Sequence, residues 1–319
     1  MTPARVPSLL CLLALLPFAA CRKSEKAGSA EGGDTATSLV ELRKAFKTQL
    51  QEKPTQTEPA PEPPPGLFEK VMYPAPLGNN VAYVTPVREG KRRPAVLWLQ
   101  GGFYWGLDES GWTPAPRRND QSARAFREAG LVLMMPALRG CNGNPGSHEY
   151  FLGEVDDVLA ALDFLARRPD VDPEHLYLGG HSTGATLALL AAASNPRVTG
   201  VLALGPIDDV SHYGRTNMVL DRAGGEEVRM RSPVNFMDRI RVPTLVLEGA
   251  KGNAFAFEPL GKAARDAPVR FVKVPGGTHF TILAPLTELL ARRIVQGENP
   301  TQLTEQDAFQ AMRSEATGD

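Results

Sequence analysis

Gly180-His181-Ser182-Thr183-Gly184 sets a serine between two glycines, with the apolar run Leu176–Leu178 before it and Ala185–Ala193 after it. The first run reads as a strand and the second as a helix, so Ser182 falls on a sharp strand-to-helix turn. A hydroxyl at that apex lies near the positive end of the helix dipole and is placed to attack an acyl carbon. Such a nucleophile needs a base. His279, in Val274-Pro275-Gly276-Gly277-Thr278-His279-Phe280, follows a strand and a two-glycine turn at the start of the last helix. It can swing back over Ser182 and take its proton. His148 and His212 read as polar-loop residues, His175 opens a strand, and His181 is expected to point away from the site.

Charge developing on the acyl oxygen needs two donors. Thr183 N–H follows the nucleophile directly, and Phe103 N–H comes from Gln100-Gly101-Gly102-Phe103, where paired glycines let the backbone face the site. Phe103, Tyr104, Trp105 and Trp112 read equally as pocket wall and as ordinary loop packing. The candidate set implies no metal and no organic cofactor.

The elements that must position these residues alternate. Phe68–Tyr73 and Asn80–Thr85 read as an entering hairpin, followed by strands Ala95–Leu99, Leu131–Pro136, Leu176–His181, Val198–Leu204, Thr244–Leu247 and Val269–Val274. Helices are expected near Gln121–Glu128, Val155–Ala166, Ser182–Ala193, Glu258–Asp266 and Pro285–Val295. Alternation of this kind predicts an α/β domain over 66–298, a mostly parallel eight-stranded sheet with helices on both faces. Active sites in such sheets gather at the carboxyl ends of the strands. Val210–Arg239, between the sixth and seventh strands, reads as a small cap, and 299–319 as a polar tail.

Upstream, Leu9–Ala20 is almost wholly apolar behind a single Arg5, too short to span a bilayer and suited to a signal-peptide core (1–20). Within 21–65, Thr37–Gln51 carries apolar residues at helical spacing, and the Pro-rich stretch 53–65 reads as an extended linker. The 35 basic and 36 acidic side chains leave a net charge of −1, which gives no reason to expect nucleic acid as a partner. The partner expected instead is a small peptide or ester substrate.

Phe18-Ala19-Ala20-Cys21 resembles the lipobox of bacterial lipoproteins, with Phe18 where that family writes Leu. The resemblance implies lipid attachment at Cys21 and a cell-envelope location. Arg22, in place of an inner-membrane retention Asp, points to the outer membrane. An ordinary signal peptide is the alternative. With Cys11 lost alongside the signal and Cys21 acylated, Cys141 has no disulfide partner.

Residues 66–298 resemble the catalytic domain of prolyl-oligopeptidase-like α/β-hydrolases. The likeness is carried by Gly101-Gly102, Leu138-Arg139-Gly140, Gly143-Asn144-Pro145-Gly146, Gly153-Glu154-Val155-Asp156-Asp157, Ser232-Pro233, Arg241-Val242-Pro243-Thr244 and Gly277-Thr278-His279. It implies the α/β-hydrolase fold and serine peptidase or esterase chemistry through an acyl-enzyme. Two departures stand out. The β-propeller of the large peptidases is replaced by a short linker. The family's His-Gly-x-x-Asp after the seventh strand is Glu248-Gly249-Ala250-Lys251-Gly252 here, with Gly252 in the acid's place. Glu248, Asp208, Asp209 and the neutral Asn253 are the candidate substitutes that would orient His279, with no orienter as the remaining possibility. Loss of the acid also allows a second reading, a catalytically weakened module that binds without turnover.

Overall fold

The computed structural model describes residues 39–214 and 225–316. The signal segment and Cys21 lie outside them. In chain order the elements are α1 (Leu39–Ala45), β1 (Glu69–Ala75), β2 (Gly78–Val84), β3 (Arg93–Leu99), α2 (Arg124–Glu128), β4 (Val132–Pro136), α3 (Glu154–Ala166), β5 (Val171–His181), α4 (Thr183–Ala192), β6 (Gly200–Leu204), α5 (Gly225–Arg229), β7 (Thr244–Gly249), α6 (Phe257–Ala264), β8 (Val269–Val274), α7 (Leu283–Val295) and α8 (Glu305–Ala316).

The strands form one eight-stranded sheet in the order β1-β2-β4-β3-β5-β6-β7-β8. β1 and β2 pair antiparallel and β2 runs antiparallel to β4, while the other pairs are parallel. All of β4, β6 and β7 is buried, as a parallel strand covered on both faces requires. The edge strands β1 and β8 alternate between buried and exposed instead. Helices pack as two groups, α3 with α4 and α2 with α7, and α8 lies on α7. Strand order reverses between β3 and β5, with Leu99 paired to Gly180 at their carboxyl ends. A crevice at such a reversal is where α/β sheets bind ligands, and both the Gly101-Gly102 loop and Ser182 emerge there.

Three expectations are corrected. Of the stretch 299–319, the described part to residue 316 is no polar tail, because α8 packs on α7 and β8, with Leu303 and Ala308 buried beneath. Ala311 and Met312 join Ala308 against the core, at i, i+3 and i+4 of one helix face, a short pattern among mostly polar residues. The Thr37–Gln51 helix stops at Ala45 among the described residues. Thr48 Oγ1 accepts from Leu50 N at 2.9 Å, a local bond that competes with helix. The chain then runs extended over the domain, and 53–65 is packed rather than free. Ala60 is buried, and Tyr83 OH donates to Pro61 O at 2.7 Å. The expected cap is described only in part, as short turns and α5, because 215–224 lie outside the described residues.

Candidate active site

Ser182 has φ 55° and ψ −118°, a conformation that costs a β-substituted residue about 1–3 kcal/mol. The neighbours hold it there. Ser182 N donates to Leu204 O at 2.8 Å, and Thr186 N returns to Ser182 O at 3.0 Å. The strand-to-helix turn expected from the spacing is therefore present, with α4 starting at Thr183. Thr183 N–H lies in the first helical turn, where backbone donors have no intrahelical acceptor. The Thr183 hydroxyl donates to Gly102 O and so fastens the loop that carries Phe103 onto the turn.

His279 Nδ1 lies 2.8 Å from Glu248 Oε2. Glu248 is fully buried at the end of β7, and its carboxylate also accepts from Gly249 N at 2.6 Å and Asn253 N at 2.9 Å. Three donors thus converge on two oxygens and fix their direction. With Nδ1–H given to Glu248, Nε2 of His279 is left as the acceptor a general base needs. Gly252, where the resemblance places the acid, has a spatial role instead. A Cβ there would lie 2.5 Å from Glu248 Oε1, so a side chain at 252 and this carboxylate compete for one space. Gly205, at the end of β6, is constrained in the same way. It has φ +70°, and a Cβ would lie 2.6 Å from His279 Cε1. Since Leu204 holds Ser182 and Gly205 lies under His279, adjacent residues of one strand end bring nucleophile and base together.

Asp208 is not brought to His279. Its Oδ1 accepts from His212 Nδ1 at 2.9 Å instead. Asp209 caps its own turn through Ser211 N at 2.9 Å, and Asn253 contributes only its backbone N–H to Glu248. The aromatic group expected around the Gly-Gly loop divides. Phe103 meets Tyr213 edge-on at 5.0 Å, whereas Trp105 is buried against Phe151 and Trp112 packs on Tyr83. Tyr213, whose hydroxyl lies 2.7 Å from Thr186 Oγ1, carried no signal in the sequence beyond its being aromatic.

His181 is the larger surprise. Its ring centroid is 4.5 Å from that of His279, and its Nε2 lies 3.0 Å from the His279 carbonyl oxygen. Burial, and then the neighbouring His279, push its pKa down to about 3, so the ring is neutral. Nε2 faces the His279 carbonyl oxygen and Nδ1 faces Gln121 Oε1 at 2.9 Å, so the neutral ring, with one N–H, donates to one of these two oxygens at a time. His181 thus points back beneath the His279 loop. His148 is also misread from sequence, since it is buried with Nε2 3.3 Å from the Cys141 sulfur. Burial raises the Cys141 thiol to about 12 and lowers His148, which makes the pair neutral and structural. Among the described residues no three His, Cys, Asp or Glu side chains converge as metal ligands would.

Residues 119–259 match the prolyl oligopeptidase family. An uncharacterized protein of Mycobacterium tuberculosis is 30% identical over 225 residues, covering 64% of this chain and 73% of its own. A polyketide transferase of Stachybotrys chlorohalonatus is 33% identical over 127 residues, 38% of each chain. The solved structure of a Mycobacterium tuberculosis puromycin-hydrolyzing peptidase superposes with TM-score 0.57 at 19% identity, over 73% of this chain and 40% of that one. The chain therefore spans about two fifths of the length of the transferase and of the peptidase.

Proposed function

This chain belongs to the prolyl oligopeptidase family of α/β-hydrolases, and from that premise we propose that it cleaves a peptide or ester bond through an acyl-enzyme on Ser182. The observation that carries the reading is the buried Glu248 carboxylate 2.8 Å from Nδ1 of a histidine beside the nucleophile turn. Ser182 Oγ attacks the carbonyl carbon while Nε2 of His279 takes its proton. The Thr183 and Phe103 N–H groups receive the oxyanion, and Glu248 stabilises the imidazolium. The C–N or C–O bond breaks as His279 returns the proton to the leaving group. Water then attacks the acyl-Ser182 ester by the same route and frees the acid.

The weakened-module reading rests on the missing acid at 252; the Glu248 carboxylate 2.8 Å from His279 Nδ1 favours the hydrolase over it. A fluorophosphonate probe should label the wild type at Ser182 and leave Ser182→Ala unlabelled; a wild type that never reacts rejects the proposal. The envelope anchor at Cys21 is a second proposal, supported by the apolar run Leu9–Ala20 ahead of it. A palmitate analogue should tag the wild type in cells and not Cys21→Ser, and a free amino terminus at residue 21 counts against it.

A further inference from the structure

A cavity of about 620 Å³ is lined by Asp108, Glu109, Pro114, Ala115, Pro116 and Gln121 among others, and is joined to the catalytic residues through Gln100 and Gln121. Its wall is tied to the site at both ends. Gln100, which leads into the Gly101-Gly102 loop, donates from Nε2 to Ser110 Oγ on the cavity wall at 3.2 Å. At the other end, Gln121 Oε1 lies 2.9 Å from His181 Nδ1, and His181 Nε2 lies 3.0 Å from the carbonyl oxygen of His279. Phe280 stands on His181 too, with ring centroids 5.7 Å apart, and is 45% exposed although it is a large apolar side chain. The cavity and this ring therefore lie on the side of His279, the residue that hands a proton to the departing group.

The lining has two parts. Pro114, Ala115 and Pro116 give an apolar floor, and Asp108 and Glu109 put two exposed carboxylates at its edge. Among the described residues neither carboxylate is held in an ion pair, and Arg117 of the same loop is turned to Glu288 at 2.6 Å. A volume of this size with an apolar surface and a few polar groups suits a small organic molecule. Unneutralised carboxylates at its rim select for positive charge.

We propose that this cavity is the leaving-group subsite and that it takes an apolar group bearing a positive charge, an amine or a quaternary ammonium. The assignment rests on the acyl-transfer reading above and adds the chemical class of one half of the substrate. Acyl transfer needs no charge on the leaving group, so the preference is a property of this loop and not of the catalytic residues.

Choline and 3,3-dimethylbutanol differ only in a cationic nitrogen for a carbon and serve as probes. Titrated calorimetrically into the full chain carrying Ser182→Ala, choline should bind about tenfold tighter, a difference of about 1.4 kcal/mol. Asp108→Asn with Glu109→Gln should abolish the difference, and Ala115→Trp, which fills the floor, should weaken both probes. Equal binding of the two alcohols, or a cation preference that survives the double substitution, overturns the assignment. With the wild type, kcat/KM for the acetate ester of choline should exceed that for its carbon isostere, and the ratio should fall toward one in the double variant. A fluorophosphonate-reactive Ser182 with equal handling of both esters rejects the subsite alone. An unreactive Ser182 rejects the hydrolase reading itself.

Discussion

Glu248 reaches His279 from the end of β7, four positions before the residue that the family resemblance makes the acid. The longer side chain covers the difference, and Gly252 leaves the carboxylate its room. Charge at this position should then decide turnover. Glu248→Gln keeps the volume and loses the charge, and kcat per folded molecule should fall on the order of 10²–10⁴; its single amide oxygen also leaves one buried donor unmatched, at a cost of about 1–3 kcal/mol in stability. Asp208→Asn should leave turnover near wild type, because Asp208 serves His212; a large loss there would reassign the acid. The geometry also makes a reciprocal exchange testable. Gly252→Asp in the wild type collides with Glu248 and should lower the rate, whereas in a Glu248→Ala background the same substitution should recover part of the lost turnover. No recovery would mean that the loop carrying residue 252 no longer delivers an acid to His279.

At the scale of elements, the extended stretch after α1 is bound to the segment that follows β6. Thr48 Oγ1 donates to Glu227 Oε2 at 2.9 Å, Gln49 N donates to Glu227 Oε1 at 2.8 Å, and Arg231 donates to Thr48 Oγ1 at 2.6 Å. Arg231 is fully buried, pairs with Glu227 at 2.5 Å, and donates through Nε to Glu149 O at 2.8 Å. Removing one partner of a buried pair strands the other's charge, so Arg231→Met should cost about 3–5 kcal/mol in denaturant unfolding. Adding Glu227→Leu should return part of that loss. If Arg231→Met proves as stable as wild type, the stretch 46–52 is decoration and not part of the fold.

Over the whole molecule, two buried groups set opposing pH dependences. Burial lowers His181 from 6.5 to about 3, so the unfolded chain binds the extra proton and stability drops as pH falls from about 6.5 toward 3. Burial raises Glu154 from 4.5 to about 7, so here the folded chain keeps the proton and stability drops as pH rises from about 4.5 to 7. Each slope is at most about 1.4 kcal/mol per pH unit. Between about pH 4.5 and 6.5 the two oppose each other. Relative to wild type, His181→Gln should become less stable with each step up in pH across that window, and Glu154→Gln more stable. Urea unfolding at several pH values measures both, and parallel curves for the two variants would contradict the assigned burial effects.

What the chain states by itself is what local chemistry can encode. The strand, turn and helix around Ser182, the Gly-Gly loop before Phe103, the position of His279 after the last strand and the alternation of elements were all legible, since each rests on residues adjacent in sequence. The acid was legible only as a choice among Glu248, Asp208, Asp209 and Asn253. Choosing between them required knowing which carboxylate lies against the His279 loop, and Glu248 stands 31 residues before His279, so only the pairing of β7 with β8 sets their distance. His181 shows the limit most plainly. Alternation along the strand turns it away from the Ser182 hydroxyl, yet the His279 loop crosses behind the turn and brings its carbonyl to that very ring. For α8, Ala308, Ala311 and Met312 fall at helical spacing, but only the packing of α7 and β8 shows which surface they cover. Such contacts lie far apart in the chain and depend on packing, which only the tertiary structure decides.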